Sequence, residues 1–345
     1  MTVAVRLADL DQDRGAVMET LAQFLNPLCD DRWFDWLYRE NPHGQARVWI
    51  AESRDKREVV GVASAFPRRM YVDGSAKRGC VLGDFCIDSR YRTLGPALQL
   101  QRACLAEIDA GTLAVCYDFP SRSMTAVYTR LGVELQERMV RMAKPLRTAR
   151  QIGERVKLRP LARGLSAAAD RWLALRDRSM KKSSECAIGV HEDVCGEEFT
   201  ALAERLGARY GVCVQRTAEY LNWRYRAHPH RRYEILAARR NGVLVGYAVF
   251  TRTEEDATIV DLMAEGDREL IGDLVSQVVA RMKEQRVATV SAPLLASHPW
   301  VRLFASLGFY PRESSPVVAL TTLRPVKSVA GKDQGWFLME GDRES

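Results

Sequence analysis

A chain of 345 residues, 47% hydrophobic and 28% charged, has globular composition and enough length for about two domains. This excludes collagen-like, coiled-coil and disordered chains, and no apolar run approaches the ~20 residues of a membrane span. The formal charge is +7 but uneven: Arg141 to Lys182 holds 13 Lys/Arg against 3 Asp/Glu, a local +10, leaving −3 for the remainder.

The first residues lack the apolar core of a secretory signal, so a soluble cytoplasmic protein is expected. None of the eight cysteines forms a CxxC pair, and several sit in apolar runs. They read as small core residues of a reducing compartment. His228-x-His230 has no carboxylate or thiol at matching spacing, so no metal site is expected.

In chain order, Val3–Leu7 alternates as a strand, and Asp9 or Asp11 caps a helix reaching about Leu25. Trp33–Arg39 is a short helix that stops before Asn41-Pro42. Arg47–Glu52 and Glu58–Phe66 form a hairpin, and Cys80–Ile87 is an apolar strand. Pro96–Ile108 is a helix with Leu98, Leu100, Ala103, Leu105 and Ile108 mostly inward. Thr112–Tyr117 is a short buried strand, Ser121–Leu131 a helix ended by Gly132, and Val133–Met142 a last strand. The pattern is that of an α/β layered domain.

The basic segment then begins. Leu161, Leu165, Ala168, Trp172 and Leu175 recur at helical spacing, so part of it forms an amphipathic basic helix. It reads as a linker packed between domains, or as a surface for an anionic membrane or an acyl carrier protein. With one aromatic and no DNA-binding motif, nucleic acid is not the expected partner.

The sequence also repeats. Trp36, Tyr38, Arg39, Pro42 and His43 recur 187 residues later as Trp223, Tyr225, Arg226, Pro229 and His230. Each set leads into two apolar stretches joined by a charged turn, and YTRLGV from Tyr128 is answered by FASLGF from Phe304. Matches in one order imply two similar domains. The expected division is 1–145, a basic linker at 146–190, and 191–345.

The stretch VLGDFCIDSRYRTLGPALQLQ carries the chemical signal. An apolar strand ends at Asp88, and a tight loop opens directly into a helix. Backbone amides at such a helix start, with the positive end of its dipole, suit a phosphate or pyrophosphate. Gly95 and the small Ala97 allow close approach, and Arg90 and Arg92 add charge. The same pattern also occurs as plain strand-loop-helix architecture. Neither GxGxxG nor GxxxxGK[ST] is present.

Here the chain resembles the GCN5-related N-acetyltransferase (GNAT) superfamily. Arg92, Gly95 and Ala97 fit its Arg/Gln-x-x-Gly-x-Gly/Ala motif. Ala126, Tyr128, Arg130, Leu131 and Gly132 fit its Ala-x-Tyr-x-(Lys/Arg)-Leu-Gly run, with Val133 in place of the usual aromatic. The motifs cover residues 3–143, and 198–325 match only through the repeat. The resemblance implies an α/β (α+β) fold of two tandem domains, each a mixed, mostly antiparallel sheet flanked by helices. It implies acetyl-CoA or another acyl-CoA, placed against Phe85, Cys86, Ile87, Arg90, Arg92, Thr93, Leu94, Gly95 and Ala97. Pro96 departs from the pattern by removing one amide donor.

By the same resemblance Tyr128 is the general acid toward the departing thiolate. Asp84, a carboxylate in an apolar strand, is either the base or a structural group, and Asp118 is a weaker candidate base that lies near the acceptor. Tyr38, with Trp36 and Arg39, lines the acceptor entrance or packs. The second copy, with the acidic loop EGDRELIGDL and Phe304 in place of Tyr128, is expected to be non-catalytic. The expected activity is acyl transfer from coenzyme A to a small amine, an amino sugar or amino acid of a cell-surface pathway among the options. A carrier-protein donor, a non-catalytic binding module and an aminoacyl-tRNA-dependent ligase are the other readings.

Overall fold

The computed structural model describes residues 2–91, 93–109, 113–135, 137–147, 185–207, 209–266, 268–321 and 335–344. Arg92 and most of the basic segment lie outside these residues, as does Asp267 in the acidic loop.

The alternating strand β1 (Val3–Leu7) pairs antiparallel with β2 (Arg47–Ser53), which pairs with β3 (Val59–Val72), which pairs with β4 (Ser75–Ile87). The β3–β4 hairpin is longer than the sequence reading, which ended one strand at Phe66 and began the next at Cys80. Asp73 and Gly74 turn the chain with positive φ of 50° and 79°, the geometry of a tight Asp-Gly hairpin turn. Arg69 and Arg78 pair across it, and with Arg68 and Lys77 beside them they break the apolar alternation.

Helix α1 (Arg14–Phe24) follows Asp13, and Asp9 instead accepts the amides of Asp11 and Gln12 in the preceding turn. Helix α2 (Asp31–Phe34), capped by Asp30, runs into a π-helical turn over Asp35–Arg39. Next come α3 (Leu94–Asp109), β5 (Val115–Asp118), α4 (Arg122–Arg130) and β6 (Glu137–Pro145). The buried face of α3 holds Ala97, Leu100, Gln101 and Cys104, while Leu98, Ala103 and Leu105 are only partly buried. The inward stripe therefore runs about one residue ahead of the expected one and includes a glutamine. Ser121 caps α4 through the Met124 amide, and Gly132 ends it at φ 75°.

The later residues form β7 (Ala187–Val190), α5 (Glu197–Gly207), β8 (Val212–Val214), α6 (Ala218–Leu221) and a second π-helical turn, Asn222–Arg226. Then follow β9 (Tyr233–Arg240), β10 (Val243–Arg252), β11 (Asp256–Ala264), α7 (Arg268–Glu284), β12 (Thr289–Leu295), α8 (Trp300–Ser306), β13 (Tyr310–Thr321) and β14 (Trp336–Phe337).

One mixed, mostly antiparallel sheet runs through the chain in the order β1-β2-β3-β4-β5-β13-β6-β12-β11-β10-β9-β7. The strands interleave. β13 is paired to β5 at one end and to β6 at the other, and β6 pairs on its far side with β12. Residues 1–145 and 191–345 therefore do not each close a sheet of their own.

The repeated segments meet at the centre. The Trp36 indole donates to the Trp223 carbonyl at 2.8 Å, and the Trp223 indole donates to the Trp36 carbonyl at 2.8 Å. Their rings stack at 5.0 Å, with Arg224 over Trp36 and Arg68 over Trp223. Trp36 thus packs rather than lining an entrance. Trp36→Ala should cost about 3–5 kcal/mol, because it opens a cavity and orphans a buried carbonyl. Urea unfolding checks this, and a loss under ~1 kcal/mol would show the pair to be dispensable.

Candidate active site

Strands β4 and β5 run parallel but pair only over Gly79–Val81 and Val115–Tyr117. Beyond that point they diverge, and the gap opens on a cavity of about 350 Å³. The β4 arm contributes Gly83, Asp84 and Phe85, and the β5 arm contributes Asp118 and Phe119. Leu25, Leu28 and Trp33 come from around α1 and α2, and His228, His230 and Arg231 from the loop before β9. Met124 of α4 and Glu344 also line it.

Asp84 sits where β4 bulges against β3, with φ of 47°. A bulge turns an extra side chain out of the ladder, and Asp84 is buried there at 8% exposure. Burial pushes its carboxyl up to about 7; the hydrogen bond from Tyr38 opposes this and the Glu344 charge adds to it. Tyr38 donates to Asp84 at 2.6 Å. It is fully buried, stacked on Phe34 and absent from the cavity lining, so its contact is with Asp84 rather than with a bound molecule.

Asp118 repeats the arrangement. Burial lifts its carboxyl to about 7, against the hydrogen bond from Tyr128 and with the charge of Glu344. Tyr128 donates to Asp118 at 2.6 Å and accepts from Gln101 at 3.0 Å. Burial holds the Tyr128 phenol well above its ordinary pKa, so it stays protonated. Tyr128 is fully buried and reaches the cavity through Asp118.

The loop between β4 and α3 is partly described. Arg90 is turned back onto Asp88 at 2.6 Å, which neutralises that buried carboxylate. Thr93 and Gly95 are exposed, and a Cβ built on Gly95 meets nothing within 4 Å. Ala97 faces the core beside Leu100, and Cys86 and Ile87 are buried on β4, with Phe85 partly exposed. Arg92 and the Leu94 side chain lie outside the described residues. The opening of a 16-residue helix is thus accessible, beside a strand edge that β5 has left. These features fit a pyrophosphate on the helix start and an extended thioester arm along β4.

The sequence reading missed the segment around β14. It lies parallel to β8, bridges from Met339 to Leu294, and crosses between the two repeats. Arg216, 1% exposed, binds Asp261 at 2.8 Å and Asp342 at 2.7 Å. Arg224 donates to the carbonyls of Gly341 and Arg343, and Tyr117 to that of Asp342. Glu344 is thereby laid against Gly83, where a Cβ would stand 2.6 Å from its Cγ. Its Oε2 is buried without a hydrogen-bond partner. Burial raises its carboxyl, countered by Arg343 and Arg224. The only sequence signal was an acidic run after WFLM.

Across the repeat the chemistry differs. Phe304, which answers Tyr128, stacks edge-on with Phe309. The short link from β11 to α7 carries Glu265, paired to Arg205.

No family model matches the chain, and no curated protein matches it in sequence. Solved structures match it over nearly the whole length. A GCN5-related N-acetyltransferase from Anabaena variabilis aligns with TM-score 0.66 at 12% identity, over 92% of this chain and 72% of that one. Eis1 from Mycobacterium abscessus aligns with TM-score 0.59 at 13% identity, over 92% and 73%. Saccharomyces cerevisiae N-myristoyltransferase with bound myristoyl-CoA aligns with TM-score 0.59 at 12% identity, over 96% and 83%. The chain has the GNAT fold. In it, β4, β5, α3 and α4 form the diverging pair of strands and the two helices that carry Asp84, Asp118, Gly95 and Tyr128. Among the described residues no group of three His, Cys, Asp or Glu is placed to hold a metal, and no helix is long and apolar enough to cross a membrane.

Proposed function

We propose that the protein is an N-acyltransferase that moves an acyl group, acetyl in the simplest case, from coenzyme A to a small amine. The reading rests on one juxtaposition. The edge of β4, released by β5, lines a cavity holding two tyrosine-linked carboxylates and Glu344, and the same strand leads by a short loop into the accessible helix start at Gly95. Residues 1–145 would supply the acyl-CoA site, and 191–345, a second copy without a matching loop, would supply a wall of the acceptor cavity.

Acyl-CoA supplies an activated carbonyl on a sulfur leaving group. The chain's own tasks are to bind, to orient and to move protons. The first-turn amides of α3 bind phosphate, with Arg92, Thr93 and Leu94 in the same loop. Backbone groups of Phe85, Cys86 and Ile87 line the arm. An ammonium entering the cavity loses a proton to Asp84 or Asp118, since carboxyls near 7 accept protons at neutral pH and release them again, or to Glu344, whose carboxyl burial also raises. The free amine then forms a C–N bond as the C–S bond breaks. One further amine proton ends on the thiolate, by way of the Tyr128 hydroxyl. The balance is an amide, a free thiol and one released proton.

The test is a calorimetric titration with acetyl-CoA and longer acyl-CoAs, alongside a free-thiol assay over a panel of amines. Micromolar binding by the wild type and weakening by about tenfold or more in Arg92→Glu are expected. Absence of binding at millimolar ligand overturns the reading. The basic segment, 141–182, would be a docking surface for a carrier protein only if turnover prefers a carrier-bound acyl group and falls with salt.

A further inference from the structure

The cavity lining has a second charged part that acyl transfer does not use. His228 is buried at 9% exposure, and its Nδ1 accepts the amides of His230 and Arg231. The proton of the neutral ring is therefore on Nε2, and burial together with Arg224 and Arg231 keeps the ring neutral by lowering its pKa to about 3. That Nε2 is buried with no partner. At the repeat position of His228 stands Asn41. Its oxygen likewise accepts an amide, from His43, but its Nδ2 donates to the Pro67 carbonyl at 3.1 Å. His228 lines the cavity with the corresponding donor unspent. Beside it, Arg231 is exposed and has no ion pair among the described residues.

One loop of the lining therefore carries an unused N–H donor and an unpaired guanidinium. The strand arms and the chain's last described residues carry three carboxylates. Apolar groups in the same lining include Leu25, Leu28, Trp33, Phe119 and Met124. A buried donor left without an acceptor is costly, so a ligand oxygen placed there gains affinity.

We propose that the acceptor is an amino acid with an apolar side chain. Its amine faces Asp84, Asp118 and Glu344, and its carboxylate faces His228 Nε2 and Arg231. A purely cationic amine would leave the second loop without a partner. A volume of about 350 Å³ is ample for one amino acid. This rests on the acyl-transfer reading for its chemistry, and the product would be an N-acyl amino acid.

The test separates the two readings by omitting the acyl donor. Leucine, methionine and phenylalanine are titrated into the full-length protein by calorimetry, each against its amide and its decarboxylated amine. The free amino acid should bind at least about tenfold more tightly than either analogue for one or more of the three. Arg231→Ala should erase that preference, and Arg231→Lys should retain part of it. Equal affinity across each trio, no amino-acid binding at about 10 mM, or a preference that Arg231→Ala leaves intact would each overturn the proposal. Preferential binding without acylation on adding acetyl-CoA would uphold the amino-acid site while overturning acyl transfer.

Discussion

Tyr128→Phe is expected to lower kcat for acyl transfer by about 10²–10³-fold, with acyl-CoA affinity held within about twofold. The phenol lies between Gln101 and Asp118, so the change removes a proton donor and frees both neighbours. Asp118→Asn separates these effects. If Tyr128 itself delivers the proton, Asp118→Asn costs far less than Tyr128→Phe; if the two act as a relay, the losses match. The pH profile gives an independent reading. Asp84 and Asp118 both lie near 7, chiefly through burial, with the Glu344 charge adding to the rise. A carboxylate base works deprotonated, so kcat/KM should climb as pH rises through about 7 and level above it. Glu344→Gln removes a neighbouring negative charge, lowers both values, and should move the rising limb to lower pH. A limb that stays in place would show that neither carboxylate near Glu344 is the base.

Arg216→Met is the substitution expected to damage stability most, by about 3–5 kcal/mol. It leaves Asp261 and Asp342 in the interior, with side chains 1% and 2% exposed, without their cation. The deficit should shrink on acidification. Burial already raises the Asp342 carboxyl, and loss of Arg216 raises it further. The native state then binds a proton the unfolded chain has released, so the cost is full above the raised native value and vanishes below the ordinary carboxylate range. Urea unfolding at pH 7 and pH 4 measures this. Hydrogen exchange over residues 336–344 should rise in the same variant, because Arg216 anchors Asp342 and so places Glu344. A loss that is equal at both pH values would refute the ion-pair account.

The loop at Gly95 and the run ending at Gly132 were legible in the sequence, because backbone-permissive and capping residues act within one or two turns. So was the odd position of Asp84, a carboxylate in an apolar strand. The repeat of Trp36 and Trp223 was visible, but not that each indole closes on the other's carbonyl. For Tyr38 the sequence left the acceptor entrance and a packing role open, and only the folded structure shows it behind Asp84.

Local pattern by itself determined the strand-loop-helix units, their order and the place of the Gly95 loop, since period and caps are properties of neighbouring residues. The tertiary structure alone decided three things: that β13 stands between β5 and β6, that Glu344 joins Asp84 and Asp118, and that His228 and Arg231 share their cavity. Each joins residues more than a hundred positions apart. No local pattern encodes such contacts, because they are fixed by which buried charges and ladder edges are satisfied when the whole sheet closes.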